Sequence, residues 1–275
     1  MIDPMLNDAH VAPAAEPSQL DLLTVDASAW RVRASSRARR LSVRVFHDGS
    51  VEVVAPQGTP GRRVQRFVAE HRHWIERARR RVTAHLDRQP LQAREPAPSQ
   101  LDLAAVGETW LVTFEAAETV ARLRVLQSAQ PPLAGRLLLR AAPGDAAGIQ
   151  RVLVRWLRGR LERLVDGWLP QIALQMQTDY QGVRVARQRT RWGSCSRRGT
   201  IGLNCCLLFQ RPDVLRYLLV HELAHRSHMN HGPGFWDHVA RYEPQFRALD
   251  RELSRGWQRV PLWLLRPVSP GSAPP

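Results

Sequence analysis

Hydrophobic and polar positions alternate through the first patterned stretch of this chain. Trp30 and Val32, then Leu41, Val43 and Val45, then Val51 and Val53 recur every second residue, the period of a half-buried strand. His47-Asp48-Gly49-Ser50 carries turn chemistry, so Arg37 to Pro56 reads as a basic strand pair. The period then changes. Val64, Phe67, Val68, His71, Trp74, Ile75, Ala78 and Val82 repeat at helical spacing, behind Thr59 as the expected cap and Pro60 at the first position. The opposite face of this helix is arginine, ordinarily a solvated face but one suited to lie along a polyanion.

Residues 85–100, ending in Arg94-Glu95-Pro96-Ala97-Pro98-Ser99-Gln100, read as a linker or long loop. Short strands are expected at Thr109 to Phe114, Ala121 to Leu126 and Arg136 to Arg140. A long helix follows over Ala146 to Gln177, with Ile149, Leu153, Leu157, Leu161 and Val165 in its apolar stripe, and Pro170 is expected to kink or break it. Val183 to Ala186 and Thr200 to Leu203 read as strands, and Val214 to Val220 as an apolar helical run with Pro212 near its first turn. Pro233-Gly234-Phe235-Trp236 opens another helix, with Val239 and Tyr242 facing inward. No internal repeat is visible. These patterns divide the chain into a disordered tail (1–28), a small strand-and-helix module (29–84), the linker (85–100), a main domain (101–266) and a second tail (267–275).

The chemistry concentrates where the apolar helix ends. His221-Glu222-Leu223-Ala224-His225 places two imidazoles four residues apart, about 400° of rotation and roughly 6 Å of rise, so both point the same way. They can grip one metal ion, and Glu222 beside them can take a proton from water on that ion. Burying His, Glu and His at the end of an apolar helix costs free energy unless a metal satisfies them. A third ligand leaves one position open, as a catalytic site requires. His228 and His231 compete for that role. Two Cβ atoms seven residues apart lie about 10 Å apart along the axis, too far for His221 and His228 to share an ion comfortably with His225 between them. His231 is preferred, because Asn230, Gly232 and Pro233 supply a turn that can bring it back.

Four blocks in order carry a family resemblance: Arg189-Thr190-Arg191-Trp192-Gly193-Ser194-Cys195-Ser196, Gly199 to Asn204, His221 to His225, and Asn230-His231-Gly232-Pro233-Gly234-Phe235-Trp236. The sequence resembles the YgjP-like metallopeptidases, relatives of the SprT-like zinc proteases in the zincin group. The resemblance covers at least residues 184–247, and the front portion from Arg37 to Ile75 is similar too. It implies an α+β, zincin-like metallopeptidase domain behind a small N-terminal β-hairpin-plus-helix module. It also implies one Zn2+ held by His221, His225 and His231, with Glu222 as general base. The ligand spacing equals that of metzincins, but His228 stands where those proteins carry glycine.

Other candidate site residues follow from their position and residue type. In zincins an edge strand beside the metal binds the substrate backbone by strand addition, and by position Thr200, Ile201, Gly202, Leu203 and Asn204 are the candidates. Arg189 and Arg191 can contact a substrate carboxylate or an oxyanion, and Tyr242 can donate to an oxyanion. Packing is the expected role of Trp192, Trp236 and the cysteines.

Bulk composition adds charge. The 275 residues carry a net charge of +15, and all 40 basic residues are arginine against 25 acids. Arginine stays charged and binds phosphate and carboxylate bidentately, so nucleic acid is a possible partner beside the expected peptide or protein substrate. Cys195, Cys205 and Cys206 are sparse and lack zinc-ribbon spacing, which fits a reducing compartment. No apolar run reaches the ~20 residues of a membrane span, and no signal peptide is read, so a cytoplasmic protein is expected. The expected function is a zinc-dependent metallopeptidase. The alternatives are a metal-dependent phosphate-ester or nucleotide hydrolase and a DNA-associated protease of the SprT type.

Overall fold

The structure is a computed structural model that describes residues 30–86, 98–127 and 133–266. The expected tails at 1–28 and 267–275, and most of the expected linker, lie outside the described residues. The chain divides into two compact units, one within Asp3–Gln89 and one within Pro90–Pro275.

One strand arrangement occurs in both units. In the first, β1 (Trp30–Ser35), β2 (Ser42–Val45) and β3 (Val51–Pro56) form a sheet of order β1-β3-β2. β3 pairs parallel to β1 and antiparallel to β2, and α1 (Gly61–Leu86) follows. The alternation in β2 and β3 puts Val43, Val45, Val51, Val53 and Ala55 against Val64, Phe67, Val68 and Ile75 of α1 in one core. Val32, on the edge strand β1, does not join them and is 41% exposed. The Thr59 hydroxyl donates to the Pro56 carbonyl (2.7 Å), tying the strand-to-helix turn just before α1.

The second unit repeats the arrangement twice. β5 (Glu108–Ala116), β6 (Arg122–Gln127) and β7 (Leu133–Ala141) have β7 between a parallel β5 and an antiparallel β6. β4 (Gln100–Leu103) is added antiparallel outside β5, and its first residue was expected to end the linker. Helix α2 (Ala146–Gln175) follows, burying Ile149, Leu153, Leu157, Leu161, Val165 and Leu169. It runs through Pro170 without ending there. Pro170 and Asp166, whose carbonyl the proline leaves without its helical donor, are both exposed, so water can serve that group. Next come β8 (Gly182–Ala186), β9 (Gly193–Cys195) and β10 (Thr200–Asn204), with β10 between a parallel β8 and an antiparallel β9. A 3-10 turn, Cys205–Phe209, leads into α3 (Pro212–Ala224), and α4 (Pro233–Tyr242), α5 (Phe246–Arg255) and α6 (Leu262–Leu265) complete the unit.

The fold class is α+β, as expected. The repeat, however, is invisible in the sequence, because it resides in strand order and pairing and not in residue identity. Among the described residues, no helix is long and apolar enough to cross a membrane.

Candidate metal centre

Helix α3 is buried almost all round. From Val214 to Ala224 only Arg216 escapes full burial, and His221 and Glu222 are each 1% exposed. Pro212 in the first turn fits where its missing N–H would have no helical partner anyway. The helix ends at Ala224, and His225 keeps helical dihedrals as its cap. The His228 amide then bonds back to the Ala224 carbonyl (3.0 Å), so the chain turns. Gly232 and Pro233 start α4, and the Trp236 indole N–H donates to the His231 carbonyl (3.1 Å). This turn brings His231 to the face of α3 that carries His221 and His225.

The three imidazoles converge, with one ring nitrogen from each lying within 4.8 Å of the others. The Nε2 atoms of His221 and His231 are 3.1 Å apart. Two nitrogens on one tetrahedral zinc would stand roughly 3.3 Å apart, given bonds near 2.0–2.1 Å. His228 takes no part in the cluster. Its carbonyl accepts the His225 Nδ1–H (3.0 Å), and its ring packs on His238.

Tautomers are set from behind. The bond to the His228 carbonyl places the His225 proton on Nδ1 and leaves Nε2 with a lone pair. For His221 the partner is a tyrosine. The Tyr217 hydroxyl donates to Asp250 Oδ1 (2.8 Å) and stands 3.3 Å from His221 Nδ1. With its hydrogen committed to the carboxylate, the hydroxyl accepts from His221 Nδ1–H, and His221 Nε2 is left as a donor atom for a metal. Burial and Asp250 push the Tyr217 phenol far up, so it remains a hydroxyl. Burial, then the neighbouring His225 and His231, pushes His221 well down, and burial also lowers His225 and His231. All three are therefore neutral at pH 7, the form that binds metals.

Glu222 is the anomaly of the centre. Burial raises its carboxyl to about 8, opposed only in part by the Arg191 charge, and Oε2 has no hydrogen-bond partner. A buried, unsatisfied acid beside three neutral imidazoles is the donor set expected around a dication. The residues present thus fit a metal ion.

Strand β9 closes over Glu222. A Cβ on Gly193 would stand 2.4 Å from Glu222 Oε1, so only glycine lets the backbone approach this closely. β9 is also an edge strand of its sheet, the other being β8, whereas β10 is central and paired along both sides. The expectation that Thr200 to Asn204 offers a substrate edge is therefore corrected. In this strand arrangement the third strand inserts between the first two and uses up both of its edges. Ile201 and Leu203 have side chains in the core. Asn204 is fully buried and donates to the Gln188 and Arg191 carbonyls (2.9 and 2.7 Å), holding the segment that carries Arg189 and Arg191.

Arg191 is exposed and its charge reaches Glu222. Arg189 is half-buried. Tyr242 has its ring contact with His238, whereas the buried Phe235 packs against all three imidazoles. Trp192 is core, as expected, stacked on Trp257. Trp236 is more than core: it stacks on His231 (5.7 Å between centroids) while bonding its carbonyl. Burial and Glu222 raise the Cys195 thiol, which disfavours a thiolate nucleophile there.

Tyr217, Asp250 and the role of Gly193 were missed from the sequence. Tyr217 lies four residues before His221 on the same helix face, a signal that could have been used. Asp250 belongs to α5, and nothing local points to it.

A family model described as "YgjP-like, metallopeptidase domain" matches residues 39–256. No curated protein matches the chain. Among solved structures, the metallopeptidase zymogen of Pyrococcus abyssi abylysin is 24% identical with a TM-score of 0.31, over 33% of this chain and 93% of that one. The metallopeptidase zymogen of Methanocaldococcus jannaschii jannalysin is 17% identical with a TM-score of 0.30, over 33% and 94%.

Proposed function

The chain belongs to the YgjP-like metallopeptidase family, and on that premise we propose that it hydrolyses peptide bonds with one zinc ion held by His221, His225 and His231. The observation that carries the reading is the convergence of three neutral imidazoles within 4.8 Å beside a buried acid that has an unpartnered oxygen. Zinc in such a site supplies Lewis acidity: it lowers the pKa of water, polarises a carbonyl oxygen and, as a dication, favours the ionised form of a neighbouring carboxylate. Glu222 accepts the proton of the attacking water on its free oxygen and later delivers it to the departing amine. Its burial keeps bulk water from competing for that proton. Tyr217 and the His228 carbonyl hold the proton of each buried imidazole on Nδ1.

The peptide substrate lies along β9, the free edge beside Glu222, and adds to the sheet as a further strand. Arg191 stands where it can meet a carboxylate or developing oxyanion at that edge. Arg189, on the same segment, has the weaker claim. A phosphate-ester hydrolase is not favoured. Among the described residues His221, His225 and His231 form the one group able to hold a metal, so no second ion is available to clamp a phosphate.

The test is peptide-library cleavage by the zinc-loaded protein, read by mass spectrometry beside a Glu222→Ala twin of equal zinc content. Cleavage by the parent, reduced on the order of 10³-fold or more in the twin, is expected. Equal cleavage by both would remove Glu222 from the mechanism.

A further inference from the structure

We infer that the N-terminal unit docks on the phosphate backbone of duplex nucleic acid, without reading its sequence, through an arginine stripe on α1. Residues 30–86 hold fourteen arginines against four acids, a net charge of +10 beside +15 for the whole chain. Four of these arginines share a face. At about 100° per residue, Arg62, Arg66, Arg77 and Arg80 fall within roughly 60° around the helix and span about 27 Å of its length. All four are exposed, and among the described residues none of them is in an ion pair. The core residues Val64, Phe67, Val68 and Ile75 occupy the opposite face, so the helix is held rigidly with its stripe outward.

The placement works against the helix itself. Arg62 lies in a first turn that contains no acid, where positive charge opposes the helix dipole, and Arg62 and Arg66 repel each other one turn apart. A line of phosphates would offset both effects.

The chemistry of the face selects the partner. A protein partner would be met by aromatic or aliphatic anchors, and a single strand by aromatic platforms for base stacking. The stripe presents arginines with Ala69 and His73 between them, and the indole of Trp74 is turned toward the core. A membrane-surface helix would turn an apolar face to lipid, but that face of α1 is consumed by the sheet. What remains is a row of guanidiniums suited to phosphate oxygens, which fix position and carry no sequence information.

The experiment measures binding of the full chain to a labelled 20-base-pair duplex by fluorescence anisotropy, from 50 to 200 mM salt. It uses the parent, a stripe variant (Arg62→Gln, Arg66→Gln, Arg77→Gln, Arg80→Gln) and a control with as many charges removed from the other unit (Arg122→Gln, Arg124→Gln, Arg136→Gln, Arg155→Gln). Thermal melting establishes that each is folded. With about 0.9 counterions released per phosphate contact, the stripe variant should lose between three and four from the salt slope. Over this salt range that amounts to roughly a hundredfold less salt sensitivity. The control should keep the parent's slope. The inference is overturned if the parent does not bind at 50 mM salt, or if both variants lose equally. It is overturned too if a single strand or vesicles of anionic phosphatidylserine bind more tightly than the duplex. It does not rest on the peptidase reading, and the stripe variant should cleave free peptides as the parent does.

Discussion

The β1–α1 and β8–α3 segments run through the same strand order into a helix, and they treat polar residues in opposite ways. Helix α1 has one buried face, Val64 to Ile75, and turns most of its arginines to solvent. Helix α3 is buried on nearly every side and carries His221 and Glu222 inward at 1% exposure. A solvated charge costs the first helix little, while a buried acid without a partner costs the second several kcal/mol. One topology therefore gives a stable two-faced helix where the outside is left open. Where further helices cover it, the same topology gives a destabilised, reactive interior.

The contrast can be broken most sharply through Glu222. Its carboxyl is raised from 4.5 to about 8 in the metal-free protein, so the folded state holds a proton that the unfolded state releases. Stability of the metal-free protein should fall as pH rises from 4.5 to 8, by up to about 5 kcal/mol. The histidines act oppositely below their ordinary value of 6.5, because their depressed values make stability fall as pH drops. The clean window is therefore pH 6.5 to 8, where a decline of about 2 kcal/mol remains. Urea melts of the chelated protein at several pH values should show this slope, and Glu222→Gln should flatten it. An unchanged slope in that variant would place the titration elsewhere.

A smaller effect is expected one shell out. Tyr217→Phe removes the hydroxyl between Asp250 and His221 while keeping the ring, so zinc affinity measured by chelator competition should drop about 10- to 100-fold. Asp250→Asn should do less, since an amide oxygen can still accept from the hydroxyl. If Tyr217→Phe binds zinc like the parent, the relay has no hold on the metal.

The smallest effect belongs to α1. Arg62→Gln with Arg66→Gln should leave the melting midpoint nearly unchanged or raise it, within about 0.5 kcal/mol per residue, since the repulsion and dipole mismatch are relieved. A clear loss of stability would mean that these arginines pack and are not merely solvated.

How much could be read beforehand follows the same contrast. The core face of α1, the hairpin at His47–Ser50 and the helix carrying His221 and His225 were legible, because each is a local period or a short motif. His231 was legible through its turn residues. Thr200 to Asn204 were misplaced at an edge, since alternation identifies a strand but not its neighbours. Pro170 does not end α2, because whether a proline ends a helix depends on whether the freed carbonyl meets water.

By itself, then, the amino-acid order determined the elements, the sign and type of charge, and the four residues of the candidate metal centre, all through contacts within a few helical turns. Tertiary structure alone decided that β10 lies between β8 and β9, that Gly193 abuts Glu222, and that Asp250 reaches His221 through Tyr217. These pairings join segments far apart in the chain. They arise from which apolar faces bury one another, a competition among surfaces that leaves no mark at any single position.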